Sequence, residues 1–332
     1  MKDLISIIIP VYNRGNFLVR CLDSIVKNNN HAHFEIILVD DGSTDDSGNI
    51  CDEYASKNYN IRVAHKPNTG VSETRNLGLS MSIGKWVWFI DGDDIPFYGA
   101  VDTLYEQTNN CKDDVVIFTY KSFNKDTDLS SKRVKACRQT ISKEDAIGTL
   151  LDMDYASFPW NKLFSRKLLV DNKIKFPENM SMCEDMEFCF HAYDKAKSFS
   201  LISEPLYGYR QDNNSASSST SKKRYKDAAI ANYDLCCYIE QNYPKYFNNI
   251  FQNTVISIIT YLHRYNCNDS RYSELSGFIS SHKKQCKTLS HRYRIETSAF
   301  VYNKIVFNFI GLVGEIARYV KNTKQGEIKR EK

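Results

Sequence analysis

A chain of 332 residues, 42% hydrophobic and 25% charged, has the apolar content for a sizeable core in one large domain or two smaller ones, which excludes a disordered or fibrous protein. Its net charge of +4 is unevenly placed: residues 283–332 hold 12 Lys and Arg against 4 Asp and Glu, a local +8, so everything before them carries −4. A basic tail on an acidic body argues against a nucleic-acid-binding core, and a bilayer surface or plain solvent is what such a tail would meet.

Met1 to Asp3 lead into an apolar run of six residues, Leu4 to Ile9, which Pro10 ends. That run is too short for a signal peptide or a membrane span and reads as a strand. The ten cysteines are scattered, with no CxxC pair and no His/Cys spacing suited to zinc, so reduced thiols in a cytoplasmic protein are expected.

In chain order, the β-branched stretch Ile5-Ser6-Ile7-Ile8-Ile9-Pro10 predicts a strand. Phe17, Leu18, Cys21, Leu22, Ile25 and Val26 then recur at helical spacing over 16–27. A second strand is expected over 35–40, a helix start at Ser43-Thr44-Asp45-Asp46, a third strand over 61–64 and a helix over 71–81. Trp86-Val87-Trp88-Phe89-Ile90 is apolar enough for a strand covered on both faces, and it ends in Asp91-Gly92-Asp93-Asp94. A helix near 100–107 and a strand over 115–120 follow. Strands alternating with helices predict an α/β fold with a mostly parallel central sheet. Residues 121–143 are polar and read as an exposed loop, 142–152 as a helix, and Glu184-Asp185 as the start of a helix running to about Ala196. The Ser-rich 215–221 reads as a linker or lid, and 225–241, 250–265 and 299–321 as helices. The expected organisation is 1–120, 121–221 and a C-terminal helical region with a basic tail, 222–332.

Three strand-to-helix junctions put polar groups at one sheet edge: Pro10-Val11-Tyr12-Asn13, Asp40-Asp41-Gly42-Ser43 and Asp91-Gly92-Asp93-Asp94. Open α/β sheets keep their ligands in that crevice. A carboxylate after the second strand suits a base N–H or ribose hydroxyls, and the acidic end of the fourth suits a six-coordinate divalent ion bridging two phosphates. Pro10 and Tyr12 line the same edge as candidate donor contacts.

Together with Asn68-Thr69-Gly70-Val71-Ser72 and Arg75-Asn76-Leu77-Gly78, these blocks resemble, in order and spacing, the nucleotide-sugar-binding half of the family 2 glycosyltransferases. The resemblance covers residues 4–120 well and extends loosely through Glu184-Asp185 to Arg210. It implies a GT-A (Rossmann-like) fold, a nucleotide-diphosphate sugar donor with uridine as the favoured base, Mg2+ or Mn2+, and inversion at the anomeric carbon. By the same resemblance Asp41 reads the base and Asp91 lies near ribose. Asp93 is the principal metal ligand, with Asp94 sharing one of those last two roles. Arg75 lies near the donor, where the motif more often has Ala at the position of Thr74. Asp185 is the catalytic base, with Glu184 beside it as a candidate acceptor contact. Tyr209-Arg210 caps the diphosphate, a task for which a guanidinium fork is suited.

Plainer readings stand beside these. Asp40-Asp41-Gly42-Ser43 would serve equally as a helix cap, and Glu184-Asp185 favours a helix N-terminus whatever its function. Trp160 suits a core position or a sugar-stacking platform, and Asn161 and Lys162 are weaker candidates for acceptor contacts. The apolar helix over 299–321 suits packing, homodimerisation or a peripheral membrane contact, its charges leaving too short a run for a span. The expected activity is transfer of a sugar to a hydroxyl of a glycan acceptor, lipid-linked, in cell-surface polysaccharide synthesis at the inner face of the membrane. The rival is a catalytically silent nucleotide-sugar- or glycan-binding partner in an assembly complex, against which the intact Asp41, Asp91, Asp93 and Asp185 speak.

Overall fold

The computed structural model describes residues 2–109, 111–124, 133, 135–151, 157–211, 221–265 and 271–302. The chain groups into two compact units, Met1–Ser218 and Ser219–Lys332.

In the first unit, β1 (Lys2–Val11), β2 (Phe34–Asp40), β3 (Ile61–His65) and β4 (Gly84–Phe89) form a parallel block in the order β3-β2-β1-β4. Ile5, Ile7, Ile8, Ile9 and Val11 are all fully buried, as befits a strand covered on both faces. The edge strand β3 is half exposed. Three helices cross over between them: α1 (Gly15–Val26), α2 (Ser47–Lys57) and α3 (Val71–Met81). α1 presents Leu18, Cys21, Leu22 and Ile25 on one face, the helical spacing read from the sequence. α3 approaches β1 closely because residue 78 is glycine; a Cβ there would sit 2.3 Å from Ile8 Cγ2.

Beyond β4 the chain adds the two-residue β5 (Ile95–Pro96), α4 (Ala100–Thr108), β6 (Val115–Phe123), β7 (Arg138–Ile141), α5 (Lys143–Leu150), β8 (Lys162–Ser165), α6 (Arg166–Asp171), α7 (Glu184–Lys195) and β9 (Phe199–Arg210). The sheet continues from β4 as β8-β6-β9-β5, with β7 also on β9. Here β6 and β9 run parallel, but β4–β8, β6–β8, β5–β9 and β7–β9 are antiparallel. The sheet is therefore mixed rather than mostly parallel. After β4 strict alternation lapses, with no helix among the described residues between β4 and β5 or between β6 and β7, and the later strands pair in both directions. The supposed loop 121–143 contains the end of β6 and all of β7. β7 (Arg-Gln-Thr-Ile) escaped notice because no residue in it is buried, leaving no hydrophobic signal.

The second unit is helical: α8 (Lys222–Asn242), α9 (Phe247–Tyr265), α10 (Tyr272–Ser281), α11 (Lys283–Cys286) and α12 (His291–Tyr302). Ala228, Ala231, Leu235 and Ile239 of α8 and Phe251, Val255 and Ile258 of α9 are buried, and Thr254 Oγ1 donates to the Asn232 carbonyl at 3.1 Å. Only the first residues of the helix expected over 299–321 fall in α12. The rest of it, and residues 215–220 of the Ser-rich stretch, lie outside the described residues. Among the described residues no helix is long and apolar enough to cross a membrane.

Candidate active site

The loops after β1 and β2 are laced together. Asn13 adopts φ 51°, which asparagine tolerates better than most residues. Its Oδ1 accepts from the backbone N–H of Thr44 at 2.8 Å, its own N–H donates to Ser43 Oγ at 3.0 Å, and Arg14 N–H donates to Ser47 Oγ at 2.8 Å. Gly42, at φ +70°, passes so close to the next loop that a Cβ would lie 2.9 Å from Asn68 N. Asp40 accepts from Ser43 N–H at 3.0 Å and faces His65 Nδ1 at 3.0 Å, so it braces the turn. Asp41 is buried; it takes the backbone N–H groups of Thr69 at 2.9 Å and Gly70 at 3.0 Å and pairs with the Lys66 ammonium. The carboxylate expected to read a base is thus also the fastening of the loop leading into α3.

At the end of β4 the three aspartates diverge in role. Asp93 and Asp91 keep about a third of their side chains exposed, at 34% and 31%. Asp93 Oδ2 pairs with Arg14 Nε at 3.1 Å, and burial, with the charge of Asp91, raises its carboxyl above the ordinary value. Asp94 is 1% exposed, and both its oxygens are turned to protein donors: Tyr207 Oη at 2.7 Å and the Arg210 backbone N–H at 2.7 Å. Asp94 therefore clamps β9 to the acidic turn, which corrects its assignment to the metal or ribose. Tyr207 Oη also accepts from Asp91 N–H at 3.2 Å. Arg210 lies between the rings of Phe17 and Phe123, 4.9 and 4.7 Å from their centroids, with Nε donating to the Asp93 carbonyl at 2.8 Å.

One guanidinium connects this turn to the second half of the unit. Arg75, on α3 and 4% exposed, donates from one terminal nitrogen to Asp91 Oδ1 at 2.9 Å and from the other to Asp185 Oδ1 at 2.6 Å. Its guanidinium carbon lies 5.1 Å from the Phe176 ring centroid, and Phe176 stacks on Phe188 of α7 at 3.9 Å. Asp185 is in the first turn of α7, whose N-cap, Cys183, takes φ 66°. Two carboxylates 94 positions apart in sequence thus share one cation. Burial pushes the Asp185 carboxyl up to about 7 against the pull of Arg75, with Glu184 and Asp91 adding to the rise. Arg75 takes only Oδ1 of Asp185, and no hydrogen bond from a described residue to Oδ2 is found.

Trp160 is not a sugar platform. It is 2% exposed, stacked with Tyr207 at 4.8 Å, Tyr209 at 5.3 Å and Phe158 at 4.8 Å, and its carbonyl accepts from Trp88 Nε1 at 2.6 Å. Asn161 and Lys162 are fully buried as well, with Lys162 Nζ donating to the Phe158 carbonyl and Asn161 Oδ1, so neither meets an acceptor. Of the two readings offered for Trp160 the core position holds, and Asn161 and Lys162 read as acceptor candidates because burial of a polar side chain depends on what folds over it. Tyr12 is 45% exposed and Pro10 and Glu184 are half-buried, so all three remain open to a ligand.

Arg14, Lys66, Phe176 and Tyr207 were missed from sequence. Tyr207 alone carried a signal, its two-residue spacing from Tyr209, which put both rings on one face of β9. Asp91, Asp93 and Asp185 are met by the guanidiniums of Arg14 and Arg75. Among the described residues no three His, Cys, Asp or Glu side chains are grouped to hold a metal by themselves. A donor set of Asp93 and Asp91 completed by phosphate oxygens and water is the one Mg2+ and Mn2+ accept, and these residues fit it.

Residues 6–173 match the model of glycosyl transferase family 2. The chain is similar to glycosyltransferase GlyG of Streptococcus pneumoniae, 32% identical over 221 residues, 64% of this chain and 72% of that protein. It is 30% identical to the putative glycosyltransferase EpsH of Bacillus subtilis over 242 residues, 72% of this chain and 70% of that protein. Over 62% of its length it is 31% identical to a poly(ribitol-phosphate) beta-glucosyltransferase of Bacillus spizizenii, covering 32% of that enzyme. Among solved structures, S. aureus TarS 1–349 in complex with UDP-GlcNAc superposes with a TM-score of 0.63 at 21% identity, over 95% of this chain and 92% of that one. With the match extending through every strand of the parallel block and the acidic turn at its edge, the chain belongs to glycosyl transferase family 2 and is a glycosyltransferase of GT-A fold.

Proposed function

We propose that this glycosyltransferase is divalent-metal-dependent and inverting, taking a sugar from a uridine-diphosphate sugar to a hydroxyl of a lipid-linked glycan at the inner face of the membrane, in cell-surface glycan synthesis. The observation that carries the reading is the Arg75 bridge, which holds the proton acceptor Asp185 beside the donor-end carboxylate Asp91. The choice of uridine is supported by S. aureus TarS, described in complex with UDP-GlcNAc and with UDP. The choice of a cell-surface polymer is supported by the relative that glucosylates poly(ribitol-phosphate).

A divalent ion at Asp93 and Asp91 would supply Lewis-acid neutralisation of charge on the departing diphosphate. The protein's own residues do the rest. Arg210, held between two rings, adds positive charge beside the Asp93 turn. Asp185 Oδ2 takes the proton of the acceptor hydroxyl as its oxygen bonds to the anomeric carbon. The bond from that carbon to the diphosphate breaks on the opposite face, and its electron pair leaves with the nucleoside diphosphate. A carboxyl poised near neutral pH suits a general base. With the leaving group neutralised, no second carboxylic acid is required, unlike in glycoside hydrolysis.

The test is release of nucleoside diphosphate from a panel of nucleotide sugars, with and without EDTA and with glycan acceptors. Asp185→Asn is expected to keep donor binding and lose transfer, and Asp93→Ala to weaken metal-dependent donor binding itself. Absence of both metal-dependent release and nucleotide binding across the panel refutes the reading; binding without turnover would point to a silent partner.

A further inference from the structure

Asp41, Asp91, Asp93 and Asp185 are each met by a cation of the protein, but the cations are held very differently. Arg75 is 4% exposed and tied to two carboxylates. Lys66, 14% exposed, is tied to Asp41, Thr69 and the Pro67 carbonyl. Arg210 is clasped between two aromatic rings. Arg14 is 36% exposed, and among the described residues its side chain has, besides Asp93, only a long contact, 3.4 Å, to the carbonyl of Asn13. Its backbone is anchored independently, by the N–H to Ser47 and by a carbonyl that accepts from Phe17 and Leu18 at the start of α1. Among the described cations of this turn, the Arg14 side chain is therefore the most loosely held.

We propose, resting on the transferase reading above, that Arg14 is an exchangeable counter-ion. It neutralises Asp93 while the donor is absent, gives Asp93 up to the divalent ion, and turns its guanidinium onto the diphosphate that arrives with that ion. The chemistry of each partner supports the exchange. Asp93 cannot serve Arg14 and a hard cation at full strength together, and a guanidinium fork matches the oxygens of a diphosphate. The arrangement couples metal and donor: each binds better once the other has come, because the ion frees Arg14 and the diphosphate receives it.

Calorimetry on the full chain separates the two halves of the exchange. Mn2+ alone is titrated first, then UDP at saturating Mn2+, for wild type, Arg14→Ala and Arg14→Lys. Removing the competitor is expected to tighten Mn2+ binding in Arg14→Ala by about two- to five-fold, the range of a partly exposed ion pair. UDP binding at saturating Mn2+ should weaken about ten-fold, the loss of a charge-assisted hydrogen bond, with Arg14→Lys lying between alanine and wild type in both titrations. Unchanged or weaker Mn2+ binding in Arg14→Ala overturns the exchange and leaves the transferase reading standing. Failure of the wild type to bind Mn2+ even with UDP present overturns both. Far-UV circular dichroism, unaltered if the backbone anchors hold, confirms that each variant is folded.

Discussion

Arg75→Met removes the guanidinium that joins Asp91 to Asp185 while keeping a flexible chain over Phe176. At a charge separation of about 4 Å and an effective dielectric near 20, one such contact is worth about 4 kcal/mol. Relaxation and the 23% exposure of Asp185 reduce what is realised. A rise of about two pH units in the Asp185 carboxyl, about 2.7 kcal/mol, is the expected shift. Asp185 starts near 7 and must be deprotonated to accept the acceptor's proton. In wild type, therefore, kcat/KM climbs as pH rises through about 7, and in Arg75→Met the same limb moves upward by about two units. At pH 7 the variant should lose on the order of a hundred-fold from protonation alone, and recover much of that by about pH 9. The assay is initial-rate transfer against pH at saturating metal, with Asp185→Asn as the control that should show no such limb. A variant whose activity falls equally at every pH would refute the electrostatic coupling and leave Arg75 a packing residue.

Three further outcomes follow from packing. Tyr207→Phe strips Asp94 of a donor and Asp91 N–H of an acceptor in a buried site, so it should cost about 1–3 kcal/mol in urea unfolding and weaken donor binding. Loss of donor binding without loss of stability would contradict the clamp assigned to Asp94. Trp160→Ala should destabilise by about 3–5 kcal/mol as a core truncation. Phe158→Ala, at a 36% exposed position, should cost about 1–2 kcal/mol by area bookkeeping. Gly78→Ala forces a Cβ against Ile8 and should lower stability by about 1–3 kcal/mol, read as a fall in Tm; a neutral result would mean α3 can shift from β1 at little cost.

Much of this was legible in the chain because the parallel block is built from local rules. Ile5 to Ile9, 35–40 and Val87 to Ile90 read as strands because burial on both faces demands continuous apolar runs, and α3 was bounded at Val71 and Met81 as observed. Asp41, Asp91 and Asp93 lie at strand ends and Asp185 at a helix start, positions that their neighbours announce, while the roles expected of them came from the family resemblance alone. Beyond β4 the local signals weaken. β7 has no buried residue, β5 has two residues, and the antiparallel pairing of β8 depends on partners far along the chain.

What the sequence determined alone was the family, the α/β frame and which carboxylates are available to it, since those reside in contiguous residues. What the tertiary structure decided was the use of each group: Asp94 turned inward to Tyr207 and Arg210, Trp160 sealed in a stack, and Arg75 set between two carboxylates from opposite halves of the unit. The reason is physical. A side chain's type sets which interactions it can make, but exposure, charge state and partner depend on what the fold brings within a few ångströms, and here the decisive neighbours stand about a hundred residues apart.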